Sequence, residues 1–180
     1  MAQRVLVVAH GRAGAASDPV FGDQGTLVPD AEIAPVFGRV QRWTAAPEAA
    51  CRQTAALLGA VETVIVEELA GPELGSWTGR TLGEVAAEDP EGLQAWLSDP
   101  RAAPHGGESL VAATSRIGLA CDRHDWPHGT SVVVVTPGAA RLLAVHALGG
   151  PAELSFRLDV AAGSRFRLSR HGGSWRLLLG

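Results

Sequence analysis

Arg4-Val5-Leu6-Val7-Val8-Ala9-His10-Gly11-Arg12 is the stretch that decides how this chain is read. An unbroken apolar run of this kind fits a strand buried on both faces, as in a parallel sheet. The run stops on a histidine seated on a glycine turn. In open α/β sheets the ligand crevice lies beyond the carboxyl ends of the strands, so His10 is placed where chemistry is done.

Working outward, 46–60 has helical spacing with Pro47 suited to the first turn, and 61–66 reads as a second buried strand. A loop over 71–79 leads into helical segments at 81–88 and 90–98. Pro104-His105-Gly106-Gly107 breaks the chain before a helix over 108–123, whose start Glu108 and Ser109 would cap. Ser131-Val132-Val133-Val134-Val135-Thr136 is the clearest strand, and 138–148 reads as a helix. The tail carries alternating runs at 153–160 and 164–170, then a last strand from Ser174, with His171-Gly172-Gly173-Ser174 as a hairpin turn. Strands alternating with helices imply a mainly parallel sheet covered on both faces, a three-layer α/β/α sandwich formed by one domain over 1–180. His10 and Pro137 each follow a strand directly and belong on one rim.

With 180 residues, 46% hydrophobic and 19% charged, the chain can build a full core. A net charge of −4 without a basic run argues against nucleic acid as a partner. No stretch approaches the roughly 18 apolar residues that span a bilayer, and the N-terminal residues do not read as a signal peptide. A cytoplasmic protein of small-molecule metabolism, without membrane association, is expected, and a homodimer is the one self-association left open. All 15 basic residues are arginine, and lysine, tyrosine and asparagine are absent, the bias of a high-GC bacterial genome. Acid–base work therefore falls to His, Asp, Glu or Cys. Cys121, His124 and His128 are too few and too loop-bound for a metal site, and no metal or other cofactor is expected.

Five strings in order give the chain a resemblance to the histidine phosphatase superfamily, the phosphoglycerate mutase-like enzymes. Ala9-His10-Gly11 resembles its Arg-His-Gly strand end. The stretch from Ala46 through Pro47, Arg52, Gln53 and Thr54 to Ala55 is similar to its Ser-Pro-x-x-Arg-Ala-x-Gln-Thr-Ala helix. Leu69 to Gly79, with Gly75 and Trp77, resembles its Leu-x-Glu-x-x-x-Gly-x-Trp-x-Gly loop. Pro104 to Ser109 matches Pro-x-Gly-Gly-Glu-Ser with Arg116 following, and Thr136-Pro137-Gly138 aligns with a strand-end Ser/Thr-His-Gly.

The resemblance implies a phosphatase fold in which His10 would accept a phosphoryl group. That reaction needs fixed cations around three equatorial oxygens and an acid for the leaving alkoxide. Matched by position, the first arginine is Ala9, the helix arginine is Ala50, the second histidine is Pro137 and the acid is Gly71. At about 3 kcal/mol for each lost donor, three losses cost on the order of six powers of ten in rate, although such terms do not add strictly. A fold shared with phosphatases does not carry their activity with it.

The expected site accordingly centres on His10, with Glu73 or His105 as the complementary acid–base group. Gly11, Arg12, Asp23, Trp77 and Gly138 are the expected substrate-binding residues, Gly138 through helix N–H groups open to an anion. Arg42, Arg52 and Arg141 are further cations that would have to rebuild a phosphate pocket. Trp43 and Trp77 are candidates for an apolar wall, with core packing as the ordinary alternative. The expected function is non-phosphatase acid–base chemistry on a small metabolite, such as cyclisation, isomerisation or elimination by a biosynthetic enzyme. An inactive pseudophosphatase that binds a ligand or partner is the alternative, and a phosphatase rebuilt around Arg12 the minor one.

Overall fold

The computed structural model describes residues 3–14, 20–22, 25–29, 31–36 and 38–178. In chain order the strands are β1 (Gln3–Ala9), β2 (Arg42–Ala45), β3 (Val64–Ile65), β4 (Gly129–Val135), β5 (Arg165–His171) and β6 (Ser174–Leu178). The helices are α1 (Ala49–Leu57), α2 (Leu82–Glu88), α3 (Pro90–Ser98), α4 (Leu110–Arg123) and α5 (Pro137–Ala147). The sheet runs β3-β2-β4-β1-β5-β6. Its first four strands are mutually parallel, and β5 and β6 extend it antiparallel beyond β1.

The apolar runs read from the sequence form the centre. Val5, Val7, Val8, Val132, Val133, Val134 and Val135 are all fully or almost fully buried, as the two-faced burial of inner strands requires. Helices α1 and α5 pack on this sheet and α4 packs against α5, giving the layered α/β/α arrangement of the fold. Phe21, Trp77, Val85, Leu93 and Trp96 make a second, smaller apolar cluster under α2 and α3.

Helix ends follow local chemistry. Thr81 and Glu84 form a reciprocal capping box, while the Asp89, Ser109 and Thr136 side chains each accept the N–H that opens α3, α4 and α5. Pro90 and Pro137 sit at the first helical position, where no N–H is needed. At the β5–β6 turn Gly172 and Gly173 both have positive φ, 55° and 86°, the backbone of a two-residue type I′ hairpin.

Several expectations are corrected. The stretch 61–66 is not a buried strand: only Val64–Ile65 pairs, at the sheet edge, and Val61 is 96% exposed. The run at 153–160 is not a strand either; Ala152–Arg157 winds into a 3-10 turn after Pro151. The first helix starts at Ala49, later than Pro47, because β2 occupies Arg42–Ala45 just before it.

Candidate functional site

The strand register builds the site. β1 and β4 are parallel with Ala9 opposite Val135, so His10 and the Thr136-Pro137 turn leave the sheet side by side. The His10 N–H donates to the Val135 carbonyl at 2.9 Å, and one strand over the Ala46 N–H donates to Val134 at 2.9 Å. The segments following β1, β2, β3 and β4 thus converge on one rim. They enclose a cavity of about 1120 Å³ whose wall includes His10, Glu48, Glu73, Thr136, Gly138 and Arg141. Phe21, Leu74, Trp96 and Phe156 supply much of its apolar lining.

His10 is 4% exposed, and its Nδ1 lies 2.6 Å from the Gly11 carbonyl. A carbonyl only accepts, so Nδ1 carries the proton and Nε2 the basic lone pair. Gly11 is fixed in turn by its N–H donating to the buried Thr54 hydroxyl at 3.0 Å. A Cβ on Gly11 would press on the end of the Ile33 side chain, which would have to shift to admit it.

Around this imidazole the charge pattern is mixed. Ala9 and Ala50 are each 1% exposed and end at Cβ, and neither faces the cavity with a charge. Pro137 lines it and brings no N–H. Arg12 lines the rim from an exposed position. Arg141, one turn into α5, lines the wall and makes no hydrogen bond or ion pair with a described residue. Burial lowers its pKa from the ordinary arginine value, and Asp159, in the same wall, opposes that shift. Arg42 and Arg52 are away from the cavity; Arg42 is paired with Asp125 at 2.9 Å.

Three carboxylates, Glu48, Glu73 and the Arg116-bound Glu108, stand in the wall near the 71–75 loop. Glu73 is exposed at the mouth, with its carbonyl accepting from the Glu108 N–H at 2.7 Å. Glu48, which the sequence reading passed over, reaches across from the start of α1 to accept the Gly71 N–H at 2.6 Å through Oε1. Its Oε2 is buried and has no hydrogen-bond partner among the described residues. Gly71 at the expected acid position leaves a gap that a carboxylate from a neighbouring strand end fills, and that gap was the signal available in the sequence.

Of the remaining expected residues, Gly11 and Gly138 are at the rim, with Gly138 in the first turn of α5. Asp23 lies outside the described residues. His105 does not line the cavity. It is 3% exposed, packed edge-on against Trp77 at 5.0 Å, with Nδ1 accepting the Gly107 N–H at 3.1 Å. Burial holds its pKa below the ordinary histidine value. Trp77 is likewise no wall residue: it is 2% exposed in the second cluster, and Phe21 and Trp96 present their rings to the cavity in its place. Trp43 packs against the main core from β2. Cys121 is buried in α4, and His124 packs edge-on against Trp126 and meets the Thr44 hydroxyl at 3.1 Å. No described helix is long and apolar enough to cross a membrane.

A mainly parallel sheet with a histidine held at the end of its first strand, facing a helix N-terminus, defines a class of α/β enzyme scaffold. The sequence profile of the histidine phosphatase superfamily, branch 1, matches residues 37–179, and the chain belongs to that superfamily. The chain is similar to a bifunctional protein of Mycobacterium tuberculosis, 32% identical over 115 residues that cover 64% of this chain and 29% of that one. It is also similar to the glucosyl-3-phosphoglycerate phosphatase of Mycolicibacterium vanbaalenii, 37% identical over 89 residues, 44% of this chain and 40% of that one. The matches thus span well under half of these relatives. Among solved structures, a mycobacterial glucosyl-3-phosphoglycerate phosphatase superposes with a TM-score of 0.78 at 22% identity, covering 98% of this chain and 97% of that one. The alpha-ribazole phosphatase of Shigella flexneri gives a TM-score of 0.76 at 20% identity, covering 98% and 95%. At these identities the structures establish the fold. The profile match begins after His10, so the strand-end histidine is placed by the fold and its own register.

Proposed function

We propose that this chain is a histidine-phosphatase-fold enzyme that performs proton-transfer chemistry on a small, largely apolar metabolite, with His10 as the base. The observation that supports the reading is the pairing of His10 Nδ1 with the Gly11 carbonyl at the wall of a cavity flanked by Phe21, Leu74, Trp96 and Phe156. The pairing leaves Nε2 able to take a proton. By the resemblance, Ala9, Ala50 and Pro137 stand at the family's cationic positions, and the lining sets Glu48, Glu73 and Asp159 beside Arg12 and Arg141, a mixed charge less suited to a phosphoryl dianion. Glu73, exposed at the mouth, is the complementary acid–base group of this reading.

Two measurements on purified protein and a His10→Ala variant test this. An aryl phosphate and a panel of phosphorylated metabolites are expected to give no turnover that depends on His10. A panel of uncharged and cationic metabolites incubated in deuterated water is expected to take up deuterium with the unaltered protein and not with the variant. Phosphate release lost with His10 would overturn the reading in favour of a rebuilt phosphatase. Deuterium uptake by neither protein would overturn it in favour of a non-catalytic binding module.

A further inference from the structure

We propose that Glu48 is the residue that recognises the ligand, and that it selects a cationic or hydrogen-bond-donating head on an apolar, aromatic-sized body. The inference rests on the acid–base reading above and names the substrate class for that same cavity. A residue at a helix N-cap ordinarily turns its oxygen onto its own helix. Glu48 makes no such bond and sends its carboxylate across to the loop after β3, where Oε1 takes the Gly71 N–H at 2.6 Å. A Cβ placed on Gly71 would lie 3.0 Å from Thr136 Oγ1 and 3.4 Å from Glu48 Oε1, so the carboxylate fills the space a side chain at 71 would claim.

The second oxygen is what calls for a partner. Glu48 Oε2 is sealed from solvent in a residue that lines the cavity, without a hydrogen bond among the described residues. A buried acceptor left unmade costs free energy that a donor on a ligand would recover. Arg116, whose field Glu48 shares, is held by Glu108 through two bonds, and Arg141 stands elsewhere in the same wall with Asp159. Phe21, Trp96 and Phe156 provide a matching apolar flank, with Trp96 edge-on to both Phe21 and Phe156 at 5.8 and 4.9 Å. Aromatic faces also favour a cation over an anion.

The test compares three probes by calorimetry and amide chemical shifts: phenethylammonium, phenylpropionate and inorganic phosphate. The first two share an aromatic body and differ in the charge of the head. The expected result is a preference for the ammonium of roughly tenfold or more, the scale of one charge-assisted hydrogen bond, with perturbed amides at Gly71 and Thr136. Glu48→Gln keeps an oxygen for the Gly71 N–H and should retain the fold, checked by its thermal midpoint, while erasing the preference. An ammonium preference that survives Glu48→Gln overturns the assignment to Glu48 and leaves the acid–base reading standing. A wild-type preference for phenylpropionate without phosphate binding also overturns this inference alone. Tight phosphate binding that His10→Ala abolishes overturns both.

Discussion

Arg116 of α4 grips Glu108 with two hydrogen bonds, 2.9 and 2.7 Å, and spends its remaining donors on the carbonyls of Glu68, Ala70 and Gly71. The fork-shaped guanidinium thereby ties the loop after β3 to the start of α4, and both segments line the cavity. Arg116→Ala leaves a carboxylate and several carbonyls without their donor. It is expected to lower the unfolding free energy by about 2–4 kcal/mol, measured as a shift of the urea midpoint at unchanged slope. Arg116→Lys should recover little of this, because an ammonium cannot reproduce the planar fork. A lysine variant as stable as the parent would show that charge alone, and not the fork, holds the loop.

Gly75 and Gly107 lie back to back where the two loops meet. Gly75 has a φ of +46°, and a Cβ on it would collide with the His105 carbonyl, while one on Gly107 would collide with the Glu73 carbonyl. Backbone cannot move aside as a flexible side chain can. Gly75→Ala is therefore expected to cost about 2–4 kcal/mol and to loosen the Ser76 N–H bond to His105, 2.9 Å long. Thermal unfolding and faster amide exchange at Ser76 would register it. Gly79, also at positive φ but with nothing around its Cβ position, is the control and should cost less.

The sequence showed most where a single element carried its own signal. Val132 to Val135 and Val5 to Val8 could only be inner strands, and Gly172-Gly173 announced the hairpin. β2 was illegible because Arg42-Trp43-Thr44-Ala45 has no apolar run; its strand character comes from lying between β3 and β4. Trp77 and Trp96 illustrate a second limit, since hydrophobicity predicts burial but not which of two rings in one cluster turns toward a cavity. The contact of Glu48 with Gly71 was illegible because the two are 23 residues apart and no periodicity links them. His10 drew attention in the sequence because a polar residue closing a buried strand stands out against its neighbours.

Two histidines make stability depend on pH. Burial lowers the pKa of His105, and burial followed by the nearby Arg42 lowers that of His124, each from an ordinary value of 6.5. Folded-state values below the unfolded ones mean that the unfolded chain binds more protons in the window just below that value. Stability contributed by the neutral rings is therefore complete above pH 6.5 and is lost as the pH falls below it. Denaturant midpoints taken from about pH 7.5 to about pH 5 should decline, and a His105→Gln, His124→Gln double variant should flatten that decline. A slope unchanged by the double substitution would assign the pH dependence to carboxylates elsewhere.

Cys121 sits at the end of α4 beside Asp122, whose carboxylate takes the Trp175 indole N–H at 2.7 Å and meets His146 Nε2 at 3.1 Å. Burial, with Asp122 adding to it and Arg170 opposing, pushes the Cys121 thiol up to about 12. Only the thiolate attacks an alkylating agent or a disulfide reagent, so this thiol is inert while the fold is intact. Cys51 is buried as well. A colorimetric disulfide reagent at neutral pH is thus expected to find no fast-reacting thiol in the native protein and both thiols in denaturant. Asp122→Ala cuts the ties from α4 to both β6 and α5, and should expose Cys121 through local opening before global unfolding. A native protein in which Cys121 reacts at once would mean that the β5–β6 hairpin already separates from α4 without help.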